Sequence, residues 1–333
     1  MSLEIFGSTQ DGRTVHRITL SSGDLTVSIL TLGAIIQDVR ISGVDHSLTL
    51  GSQEVAAYEG PMEFYGAIVG PVANRIANAS AMVAGQKYSF DANENGVTTL
   101  HSGSTGTHAQ NWTLNEHGKD FAILGLHLPD GFGGFPGNRD LTAHYQVTGP
   151  ASLTLALTGT TDSTTIMNLA NHSYWNLNGT TDTAGHDLMV LAGRYLPTDD
   201  RLIPTGVCSV TGSGFDFRIA RSIGTGQPDR IDHALCLDLK NVAKRNVAML
   251  SGTSGVSMAL GTTAPGLQVY DGENNKTAPF IGFHGHPYGP LSGIALEAQG
   301  WPDAPNRPEF PSVALEPSQT YRQVTSWRFS QIS

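Results

Sequence analysis

A chain of 333 residues with 19 Lys and Arg against 29 Asp and Glu carries a net charge of −10, and only 14% of its residues are charged. An acidic balance with few basic clusters argues against nucleic acid as a partner, and no window approaches the roughly 18 consecutive apolar residues of a membrane span. Cys208 and Cys236 cannot form a disulfide framework, and Met1 to Gln10 lacks a basic stretch followed by an apolar run, so a cytoplasmic protein with reduced thiols is expected.

In chain order, Arg13–Leu20 and Thr26–Leu30 alternate apolar and polar residues, the pattern of strands with one face on a core. Ser21-Ser22-Gly23-Asp24 is a turn between them. Gln53–Tyr58 is the one segment that predicts a helical turn or two. Asp91–Gly96 and Asp271–Asn275 read as turns, Gly131–Gly137 as a loop. Ser152–Thr158 is a clean period-2 run, and Gly293-Ile294-Ala295-Leu296 reads as a buried strand. Long helical periodicity is absent, and strands do not alternate with helices, so a parallel α/β sheet is not expected. The expectation is an all-β antiparallel sandwich. With no Pro- or Ser-rich linker, residues 1–333 read as a single domain.

Neither a P-loop, nor HExxH, nor CxxC occurs. His284-Gly285-His286 has a spacing that metal sites use, but its Gly and Pro neighbours suggest solvated loop histidines. Asn171-His172-Ser173-Tyr174-Trp175-Asn176-Leu177 is denser in chemistry. In an alternating strand His172, Tyr174 and Asn176 share one face, which serves either a polyhydroxylated ligand or a satisfied sheet edge; Trp175 points to the core. Polar insertions recur at Asn74-Arg75, Leu100–Gly103, Ile231-Asp232-His233, Gly266–Tyr270 and Ala295–Gln299. Glu297 interrupts an apolar strand. Such a carboxylate is either paired in a structural salt bridge or has a raised pKa, which suits a general base. Together these residues suggest a neutral polar pocket that needs no cofactor.

At these positions the chain resembles the aldose 1-epimerase (galactose mutarotase) family. The resemblance is carried by Asn74-Arg75-Ile76, Leu100-His101-Ser102-Gly103, Asn171–Leu177, Leu196-Pro197-Thr198-Asp199, Phe215-Asp216-Phe217-Arg218, Asp232-His233, Gly266–Tyr270 and Leu296–Asn306, in family order over nearly the whole chain. It implies a large β-supersandwich of the galactose mutarotase type with few short helices. The implied activity is interconversion of the α and β anomers of a free aldose, such as glucose or galactose. The enzyme would act without a cofactor or metal on a small-molecule monosaccharide, as a monomer or homodimer.

By the same resemblance His172 protonates the ring oxygen and Glu297 takes the proton of the C1 hydroxyl. His101 lies near the ring oxygen, and Asn74, Arg75, Tyr174, Asp232 and Gln268 hold hydroxyls. Nearby carboxylates favour a charged His172, whereas burial makes Glu297 keep its proton; sequence leaves open which effect wins. Three positions depart from the family pattern: Gly70-Pro71 stands for Gly-Arg, Ser102 for Gly, and Ala234 for Asn. The alternatives are a sugar-phosphate epimerase, which would need an arginine cluster, a non-catalytic carbohydrate-binding or sensor protein, and a glycosidase using Asp232 and Glu297.

Overall fold

A computed structural model describes residues 2–224, 230–238 and 243–331. Two large sheets face each other across one core. The first has nine strands, in the spatial order Thr113–His117, Phe121–Leu128, Arg139–Thr148, Ser152–Thr161, Tyr321–Gln331, Val256–Thr262, Arg245–Gly252, His186–Val190, Arg221–Ile223. The second has six: Tyr174–Trp175, Ile294–Gln299, Gly266–Tyr270, Asp232–Cys236, Arg194–Tyr195, Cys208–Ser209. Neighbouring strands in both run antiparallel. A four-stranded sheet, Ser2–Ser8 through Ile36–Ile41, closes one flank. The expected all-β sandwich is therefore observed.

Period-2 patterning places the core. Leu153, Leu155 and Leu157 turn inward from the nine-stranded sheet, and Ile18, Leu20, Val27 and Ile29 from the flanking one. Across from them lie Leu267, Val269, Ile294, Leu296 and Ala298 of the six-stranded sheet. Each such side chain contributes about 1.5–3 kcal/mol by leaving water.

The six-stranded sheet differs from an ordinary sandwich sheet in that its inner strands Ile294–Gln299 and Gly266–Tyr270 are covered on both faces, while Arg194–Tyr195 and Cys208–Ser209 at its edge stay largely exposed. Every residue of Ile294–Gln299 is buried. Its Ile294, Leu296, Ala298 face enters the core. The opposite face carries Ala295, Glu297 and Gln299 and is roofed by the segments 61–77 and 98–109. Polar side chains on that second face are what make a site.

The helical expectation at Gln53–Tyr58 resolves to one turn, Val55–Tyr58. Among the described residues no helix is long and apolar enough to cross a membrane. Cys208 and Cys236 are unpaired thiols.

Candidate active site

Three segments converge above the second face of the six-stranded sheet. His172 lies between the short strands Ala170–Asn171 and Tyr174–Trp175, and its backbone is held by His172 N–H to Ala67 O at 2.9 Å and by Gly66 N–H to His172 O at 3.0 Å. His101 follows the two-residue strand Thr99–Leu100, which pairs with Arg75–Ile76. Glu297 rises from the sheet beneath. The outcome is a cavity of about 380 Å³, lined by Asn74, Arg75, His101, His172, Tyr174, Asp232 and Glu297 together with Phe64, Tyr65, Glu94 and Tyr270. That volume falls in the usual range for small-molecule sites, about 300–1,000 Å³.

Within it His172 Nε2 lies 3.5 Å from Glu297 Oε1, and the two side chains are 5% and 2% exposed. Phe64 packs against both imidazoles, 4.7 Å from the His101 ring and 6.0 Å from that of His172. The His172 and Tyr174 rings are 5.0 Å apart. Opposite them Arg75 makes a two-point ion pair with Glu94, Nε to Oε2 at 2.8 Å and Nη2 to Oε1 at 2.7 Å, and its Nη1 lies 3.7 Å from Asp232 Oδ2. Bidentate pairing fixes the guanidinium plane.

Burial sets the protonation states. It pushes the His172 imidazole down to about 4, the nearby His108 adding to the effect. His101 is held well below the ordinary imidazole range, by burial first and then by His172, His108 and Arg75. Burial also pushes Glu297 well above the carboxylate range; the negative Asp232 adds to this and Arg75 opposes it. Asp232 is raised too, by burial, against the pull of Arg75 and Gln268. Desolvation thus wins over pair attraction at both His172 and Glu297. Burial disfavours the charged form of each, the imidazolium of His172 and the carboxylate of Glu297.

His101, His172 and Glu297 present ligand atoms within 4.8 Å of one another, as a metal site would. The hydrogen bonding of His101 does not fit that use. Its Nδ1 accepts the Asn74 backbone N–H at 3.1 Å. In the neutral ring Nε2 then carries the hydrogen and donates into the cavity. A metal-bound histidine normally donates through its other nitrogen, the reverse arrangement.

All eight residues singled out in the sequence gather here, in two layers. Gln268 lies behind Asp232, donating from Nε2 to Asp232 Oδ1 at 2.5 Å. Asn176 is a correction. The segment around His172 is not one alternating strand, and the Asn176 amide turns away to the carbonyls of Thr180, Asp182 and Ser292, where it fastens a turn. Trp175 is fully buried in the core, as expected. Among the described residues His284 and His286 belong to no group of metal-ligating side chains; His284 Nε2 bonds the Ser47 carbonyl. Phe64, Tyr65 and Glu94 escaped the sequence reading. Glu94 sits in a turn, and the only hint was that Arg75, in a chain poor in charge, needs a carboxylate.

The three departures from the family pattern, Pro71, Ser102 and Ala234, are buried and none of them lines the cavity. Ser102 donates its hydroxyl to Val72 O at 3.0 Å and accepts from Val72 N–H at 2.9 Å, tying the His101 loop to the segment that carries Asn74. Ala234 packs with Leu196, Cys236 and Trp301.

A β-sandwich with a buried imidazole–carboxylate pair inside a polar cavity defines a class, the acid–base enzymes that act on small polyhydroxylated molecules. The profile of the aldose 1-epimerase family matches residues 16–328, and the chain belongs to that family. It is 34% identical to the galactose mutarotase of Mus musculus, over 98% of this chain and 97% of the mouse protein. It is 33% identical to the aldose 1-epimerase of Escherichia coli K12, over 96% of each. Among solved structures, a GalM/aldose epimerase homologue from C. elegans superposes with a TM-score of 0.88 at 27% identity, over 95% of this chain and 99% of that one. Galactose 1-epimerase from Lactobacillus acidophilus NCFM gives 0.85 at 26% identity, over 100% and 99%. The chain is accordingly an isomerase, an aldose 1-epimerase by activity.

Proposed function

We propose that His172 and Glu297 are the acid and base that interconvert the α and β anomers of a free aldose such as glucose or galactose. The carrying observation is their 3.5 Å approach within one polar cavity. Ring opening needs a proton delivered to the ring oxygen and another removed from the C1 hydroxyl. A proton held by the Glu297 carboxyl moves to His172 as the O1 hydroxyl donates to the resulting carboxylate. His172 then protonates the ring oxygen while Glu297 takes the O1 proton, leaving the open-chain aldehyde. Rotation about C1–C2 presents the other carbonyl face, and closure reverses both transfers. Each positioned transfer is worth ~10²–10⁴-fold.

His101 donates from Nε2 near the ring oxygen. Asn74, Arg75, Tyr174 and Asp232 hold hydroxyls, and Gln268 orients Asp232. Glu63, Glu94 and Asp232 against Arg75 and Lys276 around the cavity favour a neutral sugar over a phosphorylated one, and Arg75 is already engaged by Glu94. Residues 1–333 act as one unit, monomeric or homodimeric, in the cytoplasm, where the free thiols would stay reduced.

The test is polarimetry. A freshly dissolved single anomer of galactose or glucose should equilibrate faster with the folded protein than in buffer; an unchanged rate for all common aldoses overturns the proposal.

A further inference from the structure

The strand that carries the base has a second polar side chain that the proposed mechanism leaves idle. Gln299 is 0% exposed, and both its Oε1 and Nε2 are buried without a hydrogen-bonding partner among the described residues; the same holds for Glu297 Oε2. Residues 297 and 299 share one face of the strand, about 6.6 Å apart along it. The groups beside them are spent. Gln268, directly across from Glu297, is bonded to Asp232. Gly266, across from Gln299, has no side chain. Asn168 Oδ1 accepts the Gly300 N–H at 2.6 Å. Buried amides and carboxylate oxygens are rarely left bare, since each unmet group costs about 1–3 kcal/mol.

We propose that Gln299 is a positioning residue for Glu297, acting through one enclosed water that joins its amide to Glu297 Oε2. Side chains two residues apart on a strand face leave about two hydrogen-bond lengths between their ends, the span of a single water. The site offers such a water at least three polar atoms, enough to hold it. The amide N–H donates to the water, and the water donates to Oε2. That link stops the carboxyl from rotating and keeps Oε1 toward His172 Nε2. It also supports the charged carboxylate from below, adding to Arg75 and working against Asp232. The other titratable groups lining the same cavity are the acids Glu63 and Glu94, Lys276, the imidazoles of His101 and His172, and the phenols of Tyr65, Tyr174 and Tyr270.

The inference rests on Glu297 as the base, and the experiment separates the two. Gln299→Met keeps length and removes both polar atoms. It should lower kcat ~10-fold with KM within about 2-fold, and move the alkaline limb of the rate profile to higher pH, because the carboxylate loses a hydrogen bond. Normal kcat and an unmoved limb, with only the melting temperature lowered, overturn it. If Gln299→Met does not fold, a high-resolution crystal structure of the unaltered protein decides. A water within hydrogen-bond distance of both Glu297 Oε2 and the Gln299 amide supports the inference, and a gap closed without one overturns it. Full activity in Glu297→Gln would instead sink the reading of Glu297 itself.

Discussion

Asn74 and His101 hold each other by two backbone-anchored hydrogen bonds: the Asn74 amide donates to His101 Nδ1 at 3.1 Å, and the His101 amide donates to the Asn74 carbonyl at 3.0 Å. Both residues are in the left-handed region, at φ of 63° and 51°. Asparagine tolerates that conformation better than most residues. Asn74→Ala should therefore cost about 1–2 kcal/mol of stability in urea denaturation, with Asn74→Gly recovering the backbone part. ¹⁵N NMR of unaltered protein should find His101 as the Nε2–H tautomer near neutral pH.

Removing the acid or the base tests the chemistry directly. Glu297→Gln and His172→Gln should each lower kcat by ~10²–10⁴, while sugar affinity by calorimetry stays within several-fold. Loss of affinity in step with rate would make these residues sugar-binding groups rather than proton carriers.

The pH profile of kcat/KM should be bell-shaped, since the pair works with one proton between its members. A second proton adds as pH falls toward about 4, where His172 titrates, and removes the base. The last proton leaves above the raised pKa of Glu297, and removes the acid.

Stability should fall on acidification. Burial lowers His108 and His172 to about 4 from 6.5, with His101 also depressed. The unfolded chain then takes up protons that the folded one refuses, so stability drops as pH goes from 6.5 toward 4. Glu297 has the opposite sign: its raised pKa makes the folded state relatively costlier as pH climbs above the ordinary 4.5. His108→Gln should flatten the acid-side slope in denaturation series taken across that window.

Arg75 is 9% exposed and serves two carboxylates. Arg75→Met strands them and should cost about 2 kcal/mol. Arg75→Lys should restore charge but not the two-point contact with Glu94, leaving KM for the sugar raised in steady-state polarimetry.

How much was legible follows from the kind of information each feature carries. Ser152–Thr158 displays its strand in the alternation of Leu with Thr and Ala, and it extends to Thr161. Glu297 stood out because a charge inside an apolar strand has few explanations. The strand Ser2–Ser8 was invisible because it lies at a sheet edge, mostly exposed, and needs no buried face. Asn176 was misplaced because period 2 holds only while the chain stays extended, and here it leaves the strand at Trp175. Whether burial or pairing governs His172 and Glu297 could not be read from residue types, since it depends on how much of the roof closes over them.

The double coverage of Ile294–Gln299 ties catalysis to folding more tightly than a surface site would. If this ribbon paired one residue out of step, Leu296 would project into the sugar cavity and Glu297 into the oily interior between the sheets. Such a slip would forfeit cohesion and turnover together. Molecules that fold but do not work should accordingly be scarce, and the fraction of native material in a preparation should be readable from its specific activity alone.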